Sequence, residues 1–254
     1  MINIRVVTPI TTAGFSTAEG FREYVDPTTN LSQKTIEHGP ASIENEFDEM
    51  LAIPDTVAKI IEAERDGVDA VVIDCMGDPG LKAGREAVAI PVLGPCETSM
   101  HIAAMLGQKF SIVTVLESCV PMFLNTAAVS GLASKLASVR WVDIPVLGLK
   151  GDHGPIIDAL IEQSLQAIRD EGAHVIIFGC TGMKGCAEGV AKGLSIKGYS
   201  GVPVIDPMPV TIRMAEAFVK SGLHQSKRTY MNPYHKPIAG YTFMPSLANN
   251  SMAR

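Results

Sequence analysis

The chain has 254 residues, enough for one large domain or two small ones, and its 46% apolar residues can build a sizeable core. With 19% charged residues and no compositional bias, collagen, coiled coil and a disordered chain are excluded. The formal net charge is −6, and the 21 lysines and arginines are scattered along the chain, so no nucleic-acid partner is expected.

No stretch of the sequence predicts a targeting signal or a membrane-spanning segment. Residues 1–10 lack a basic segment followed by a long apolar one, and no apolar run approaches the ~18 residues that span a bilayer. We therefore expect a cytoplasmic protein with no membrane partner. The odd number of cysteines, without Cys-x-x-Cys spacing, predicts free thiols and neither a disulfide framework nor a metal site.

Short β-branched runs alternate with amphipathic stretches along the chain. Strands are predicted at residues 4–7, 70–73, 110–115, 174–178 and 202–205. Apolar residues at helical spacing predict a helix over residues 155–168, and another is expected to start at Asp206 and Pro207 and to close at Gly222. This alternation is typical of an α/β fold with parallel sheets.

An internal repeat is the most informative feature of the sequence. Residues 66–77, DGVDAVVIDCMG, align with residues 171–182, EGAHVIIFGCTG, and downstream IPVLGP (90–95) aligns with VPVIDP (202–207). The repeat predicts two similar, pseudo-symmetric lobes, each a mostly parallel sheet flanked by helices. We expect residues 1–8 and 100–215 to be interleaved with residues 9–99 as the two lobes, and residues 229–254 to form an irregular C-terminal tail.

The repeat places Cys75 and Cys180 at equivalent positions, each where a strand ends in a Cys-x-Gly turn. Ligands of such folds bind at the carboxyl ends of the strands, so the two thiols are expected to face one cleft between the lobes. A following helix would lower the pKa of each thiol. One could remove a proton from a bound carbon as thiolate while the other delivers a proton to the opposite face. Such a pair can racemise a substrate without metal or cofactor, with backbone NH groups of the turns stabilising the enolate.

Several motifs in order also resemble a known family. They are GPASIENEFDEMLA (39–52), CMGDPGL (75–81), ETSMHIA (97–103), GCTGM (179–183) and GLHQSKR (222–228). With them, the sequence from Met1 to about Arg228 resembles the aspartate/glutamate/hydantoin racemase superfamily, in particular its hydantoin and allantoin racemase branch.

The resemblance implies a cofactor-independent, metal-independent racemase in which Cys75 and Cys180 act as acid and base on a 5-substituted hydantoin or allantoin. It also implies a homo-oligomer with a small-molecule substrate. Carried over position by position, it implies a cavity lined by Pro9, Ser42, Ile43, Met76, Gly77, Thr114, Val115, Thr181 and Gly182.

Three features depart from the family pattern or need a separate interpretation. The family's Asn-Pro-Asn-Thr turn carries Thr8 and Ile10 in place of its two asparagines, and Asp74 precedes Cys75 where a small residue is expected. Asp74 would raise the thiol pKa if it approached, but adjacent strand residues point to opposite faces.

The acids at positions 44, 46, 48 and 49 predict a solvated helix face, and Asp78 predicts an Asx-turn on its own backbone.

Two other functions remain open on the sequence. The first is a racemase or isomerase of an open-chain amino acid such as aspartate or glutamate, or a decarboxylase that passes through a related enolate. Neither cysteine turn carries the Asn-Thr or Thr-His that follows the cysteines of the acidic amino-acid racemases, which disfavours those substrates. The second is a non-catalytic small-ligand sensor on the same scaffold.

Overall fold

Two four-stranded parallel sheets form the framework of this computed structural model, which describes residues 1–234 and 236–247. The first sheet has the order β2-β1-β3-β4, and the second has the order β6-β5-β7-β8. The strands are β1 (Ile2–Thr8), β2 (Thr29–Thr35), β3 (Ala70–Ile73), β4 (Val92–Leu93), β5 (Phe110–Thr114), β6 (Leu136–Trp141), β7 (Val175–Phe178) and β8 (Val204–Ile205). The predicted α/β class with two similar lobes is confirmed.

Seven helices flank the sheets within the described residues. They are α1 (Glu46–Arg65), α2 (Leu81–Ala87), α3 (Pro95–Leu106), α4 (Val120–Val129), α5 (Gly154–Glu171), α6 (Ala187–Ile196) and α7 (Pro207–Lys220). The predicted helix at 155–168 corresponds to α5. Helix α7 starts with Pro207 after Asp206, as predicted, and Gly222 follows its end with φ of 64°, a left-handed conformation that favours glycine.

The strand order extends the repeat beyond the aligned segments. Strands β3 and β7 contain the aligned apolar runs, and each lies beside the first strand of its lobe, β1 or β5. Strands β2 and β6, at one edge of each sheet, were not predicted. Strand β2 reads TNLSQKT and is mostly polar, so it lacks the buried apolar run by which the other strands were found.

The two lobes exchange one helix. Helix α3 follows β4 of the first sheet but packs against β5 and β7, whereas α7 follows β8 of the second sheet and packs against β1 and β3. The helices also contact each other. Strand β1 pairs with β2 and β3, so residues 1–8 belong to the sheet of residues 9–99, whereas the predicted division grouped them with residues 100–215.

The chain after α7 packs on the lobe that contains the first sheet. Among the described residues it contains no helix or strand, and Met244 and Leu247 pack against the apolar cluster that includes Val71 and Ile73. The Arg65 guanidinium donates to the Ser246 hydroxyl at 3.0 Å. His235 and residues 248–254 of the predicted tail lie outside the described residues.

Candidate functional site

A cavity of about 490 Å³ lies where the carboxyl ends of β1, β3, β5 and β7 meet between the lobes. Both Cys75 and Cys180 line it, so the structure brings the two repeat cysteines together as the sequence predicts. The remaining wall is mostly apolar and is formed by Ile10, Phe15, Ile43, Met76, Val115, Met122, Phe123 and Val146, together with Asp74, Gly77, Cys119, Gly179 and Thr181.

The two thiols have the same local geometry. The Gly77 NH donates to the Cys75 sulfur at 3.4 Å, and the Gly182 NH donates to the Cys180 sulfur at 3.4 Å. In each lobe, therefore, the backbone two residues after the cysteine turns back towards the sulfur. This equivalence follows from the repeated Cys-x-Gly sequence.

The predicted lowering of the thiol pKa values is wrong. Burial raises the pKa of Cys75 well above its usual range and that of Cys180 to about 12, outweighing the backbone NH bond that each sulfur accepts. The negative charge on Cys180 further raises the pKa of Cys75. Neither sulfur lies at an α-helix N-terminus, because α2 begins only at Leu81 and α6 only at Ala187.

Five of the nine predicted lining residues, Ile43, Met76, Gly77, Val115 and Thr181, line the cavity. Gly182 lines an adjoining cavity. Thr114 is fully buried behind the wall, where its hydroxyl donates to the Gly179 carbonyl at 3.2 Å. Pro9 and Ser42 are not among the described residues that line either cavity. The residue after Pro9, Ile10, lines the first one.

Sequence reasoning missed the wall residues that come from loops and from α4. Phe15 follows β1, Val146 follows β6, and Met122 and Phe123 belong to α4. No motif marks Phe15 and Val146, since apolar residues in a loop give no periodic pattern, and α4 was not predicted. Cys119 also lines the cavity, and its thiol donates to the Glu44 carbonyl at 3.3 Å.

Asp74 is buried and paired. Its Oδ2 accepts the Thr8 hydroxyl at 3.2 Å, and burial raises the pKa of its carboxyl. The equivalent residue of the second lobe is Gly179, and the equivalent of Thr8 is Thr114. In the first lobe the threonine hydroxyl at the end of the neighbouring strand therefore donates to a carboxylate. In the second lobe the equivalent hydroxyl donates to a backbone carbonyl.

A second cavity, of about 560 Å³, adjoins the first and shares Phe15, Asp74 and Thr181 with it. It is more polar, because Ser16, Lys150, His153 and Lys184 line it. Lys150 and His153 are exposed, so this second cavity opens to solvent beside the first.

Asp78 follows the first cysteine turn and stabilises a different element from the predicted Asx-turn. Its two carboxylate oxygens accept the backbone NH groups of Cys96 at 3.0 Å and Glu97 at 2.8 Å, which are free donors in the first turn of α3. The carboxylate lies so close to Gly94 that a Cβ there would be 2.3 Å from its carbon. Asp78 thus fixes the helix that crosses between the lobes.

The acidic segment 44–49 is only partly the solvated face that the sequence predicts. Glu46 is exposed, but the Glu44 carboxylate accepts the Val146 NH at 2.8 Å and Glu49 is half-buried. Within residues 1–234 and 236–247, no group of three His, Cys, Asp or Glu residues is arranged to hold a metal ion. No helix of the same residues is long and apolar enough to cross a membrane.

Comparison with known proteins assigns the chain to a family. The Asp/Glu/Hydantoin racemase family matches residues 4–215. A hydantoin racemase from Pseudomonas sp. (strain NS671) is 34% identical over 242 residues, 94% of this chain and 95% of the relative. One from Rhizobium meliloti is 36% identical over 214 residues, 84% of this chain and 86% of the relative.

Among solved structures, an allantoin racemase from Klebsiella pneumoniae superposes with a TM-score of 0.88 at 31% identity, and the match covers 96% of this chain and 98% of that one. Both the family match and these relatives span the two cysteine turns and the strands that carry them. The chain therefore belongs to the Asp/Glu/Hydantoin racemase family.

Proposed function

We propose that this protein racemises a 5-substituted hydantoin or allantoin, without cofactor or metal, by proton transfer between C5 of the ring and the thiols of Cys75 and Cys180. The observation that carries the proposal is the presence of these two thiols, at equivalent ends of β3 and β7, in the wall of one cavity. The names of the related hydantoin and allantoin racemases supply the substrate class.

The reaction needs one thiolate and one thiol. In one direction the Cys75 thiolate takes the C5 proton, and the Cys180 thiol gives its proton to the opposite face of the planar intermediate. In the other direction the two roles are exchanged. Because the charge on Cys180 raises the pKa of Cys75, ionisation of one thiol opposes ionisation of the other, and the reacting form holds one thiolate and one thiol.

The raised pKa values suit a weakly acidic carbon. A thiolate that is poorly solvated is a strong base, and the C5 hydrogen of a hydantoin is activated by the neighbouring carbonyl. The Met76, Gly77, Thr181 and Gly182 segments bring backbone NH groups to the cavity, where they can stabilise negative charge on the ring oxygen. The apolar wall keeps water from the planar intermediate.

The assembly and the location are part of the proposal. Free cysteines at all five positions agree with a reducing compartment, for which we propose the cytoplasm. Exposed apolar side chains on α1, Phe47, Met50 and Leu51, support a homo-oligomer. Light scattering on the purified protein tests the assembly, and a monomer at all concentrations would contradict it.

The function is tested by NMR in deuterated water with each enantiomer of allantoin and of several 5-substituted hydantoins. We expect exchange of the C5 proton together with loss of optical rotation, above the spontaneous background. Cys75→Ser and Cys180→Ser should each abolish racemisation. Cys186→Ala is the matched control, because Cys186 is buried in the same lobe as Cys180 but does not line the cavity.

Two results would contradict the proposal. Equal turnover of both enantiomers by either serine variant would exclude the two-base mechanism. If no ring substrate reacts but aspartate or glutamate is racemised, the substrate is an open-chain amino acid.

A further inference from the structure

The turn that carries Cys75 has a second side, away from the substrate. Gly77 lines the catalytic cavity and also two further cavities, of about 860 and about 490 Å³, between α1, α2 and α4. Glu49 of α1 lines both of these outer cavities, together with Asn125 and Thr126 of α4. Met122 lines the smaller outer cavity and the catalytic one, and all three spaces meet at Gly77.

Only the backbone of the Gly77 turn separates the Glu49 carboxylate from the cavity that Cys75 lines. A Cβ on Gly77 would lie 2.8 Å from Cε of Met122 and 3.2 Å from Oε2 of Glu49. The absence of a side chain at Gly77 therefore lets the carboxylate approach the turn whose NH donates to the Cys75 sulfur. The charge on Glu49 is close enough to raise the pKa of Cys75.

The Glu49 carboxylate has no structural partner among the described residues. It makes no side-chain hydrogen bond or ion pair there, although it is half-buried. Its neighbours on the chain differ, since Glu46 accepts the Asn125 amide at 3.0 Å and Glu44 accepts the Val146 NH. Burial, with a smaller contribution from Glu46, raises the pKa of Glu49 to about 7, where a carboxyl can both accept and release a proton at neutral pH.

A two-base racemase must reset its two thiols after each turnover. After one turnover Cys75 is a thiol and Cys180 is a thiolate, the reverse of the starting state. A second turnover in the same direction requires that Cys75 lose a proton and that Cys180 gain one. Both sulfurs line the cavity that adjoins the polar second cavity, and Cys75 is less buried than Cys180. The Cys75 turn also borders the outer cavities through Gly77, where the Glu49 carboxylate lies.

We propose that Glu49 exchanges protons between Cys75 and solvent across Gly77 and so resets the thiol pair after each turnover. This inference rests on the proposed racemase function. The Cys75 thiol gives its proton, through water in the cavity, to the Glu49 carboxylate, and the resulting acid releases it to solvent. Cys180 takes one proton from solvent, so charge and protons balance over the cycle. Glu49 does not touch the substrate.

Other charges around Glu49 affect its titration. Helix α1 contributes Glu46, the Cys75 turn contributes Cys75 and Asp78, α2 contributes Lys82, and α3 contributes Cys96 and Glu97, while α4 contributes only the uncharged Asn125 and Thr126. The acids outnumber the one lysine. Removing a neighbouring negative charge should therefore lower the pKa of Glu49.

The test compares Glu49→Gln with Glu46→Gln, which lies one turn earlier on α1 and is exposed. We expect Glu49→Gln to lower kcat by at least about tenfold and to lower KM with it, so that kcat/KM changes little, because the reset follows product release. Imidazole in the buffer should restore activity to Glu49→Ala in proportion to its concentration. Glu46→Gln should keep wild-type kcat at pH 8 and move the inflection near pH 7 to lower pH.

The outcomes separate this inference from the proposed function. If the wild-type protein racemises a ring substrate but Glu49→Gln has the same kcat and pH profile, Glu49 is not the exchanging group. Loss of activity in Glu49→Ala that no concentration of imidazole restores would also overturn the inference. If the wild-type protein racemises nothing, the proposed function itself fails.

Discussion

Replacement of Gly179 by alanine tests how closely the second thiol depends on strand packing. Gly179 joins β7 to Cys180, and its NH donates to the Val113 carbonyl of β5 at 2.7 Å. A Cβ at this position would lie 2.5 Å from Cβ and 2.7 Å from Cα of Thr114. Thr114 cannot yield by changing its rotamer, because one of the two contacts is with its backbone.

The size of the effect follows from these distances. Carbon atoms normally approach to about 3.5–4.0 Å, so the end of β7 must move about 1 Å away from β5. A displacement of about 1 Å at a reacting group costs on the order of 100-fold in rate. Overpacking of this kind also destabilises a fold by about 1–3 kcal/mol. We therefore expect Gly179→Ala to lower kcat/KM about 100-fold and to lower the urea midpoint.

The assay is racemisation of the preferred hydantoin, followed by polarimetry, together with urea unfolding. The control is Gly148→Ala in the segment Val146–Leu149 at the same cavity, where the nearest atoms to a Cβ are 3.4 Å and 3.8 Å away. It should keep activity and stability. A Gly179→Ala protein with kcat/KM within threefold of wild type would refute the reasoning from strand packing.

Three further predictions concern pH and helix capping. Because burial raises both thiol pKa values, the thiolate fraction grows with pH, and kcat/KM should rise from pH 7 to above pH 9; a maximum near pH 7 would contradict this. Asp74→Asn removes a negative charge that raises the pKa of Cys180, so the rise in kcat/KM should move to lower pH. An unchanged pH profile would exclude an effect of the Asp74 charge on Cys180. Asp78→Ala leaves two buried NH groups of α3 without acceptors and should lower the free energy of unfolding by about 1–3 kcal/mol, measured in urea. Unchanged stability would contradict the capping role.

The sequence alone predicted the α/β class, the two similar lobes and the family. The fold followed from the repeat, because each copy carries a strand, a cysteine turn and the start of a helix in a short segment. The family followed from motifs that occur in the same order as in its members. The repeat also predicted that Cys75 and Cys180 occupy equivalent positions in the two lobes. Five of the nine lining positions were found in this way, because they lie within or beside motifs that the chain shares with its relatives.

Only the tertiary structure decided the features that depend on distant segments. Phe15, Met122 and Val146 reach the cavity from separate parts of the chain, and nothing local marks them. The exchange of α3 and α7 between the sheets is likewise a matter of packing, which a linear repeat does not specify. The thiol pKa values were predicted with the wrong sign, because a nearby backbone NH is visible in the sequence whereas burial is a property of the whole fold.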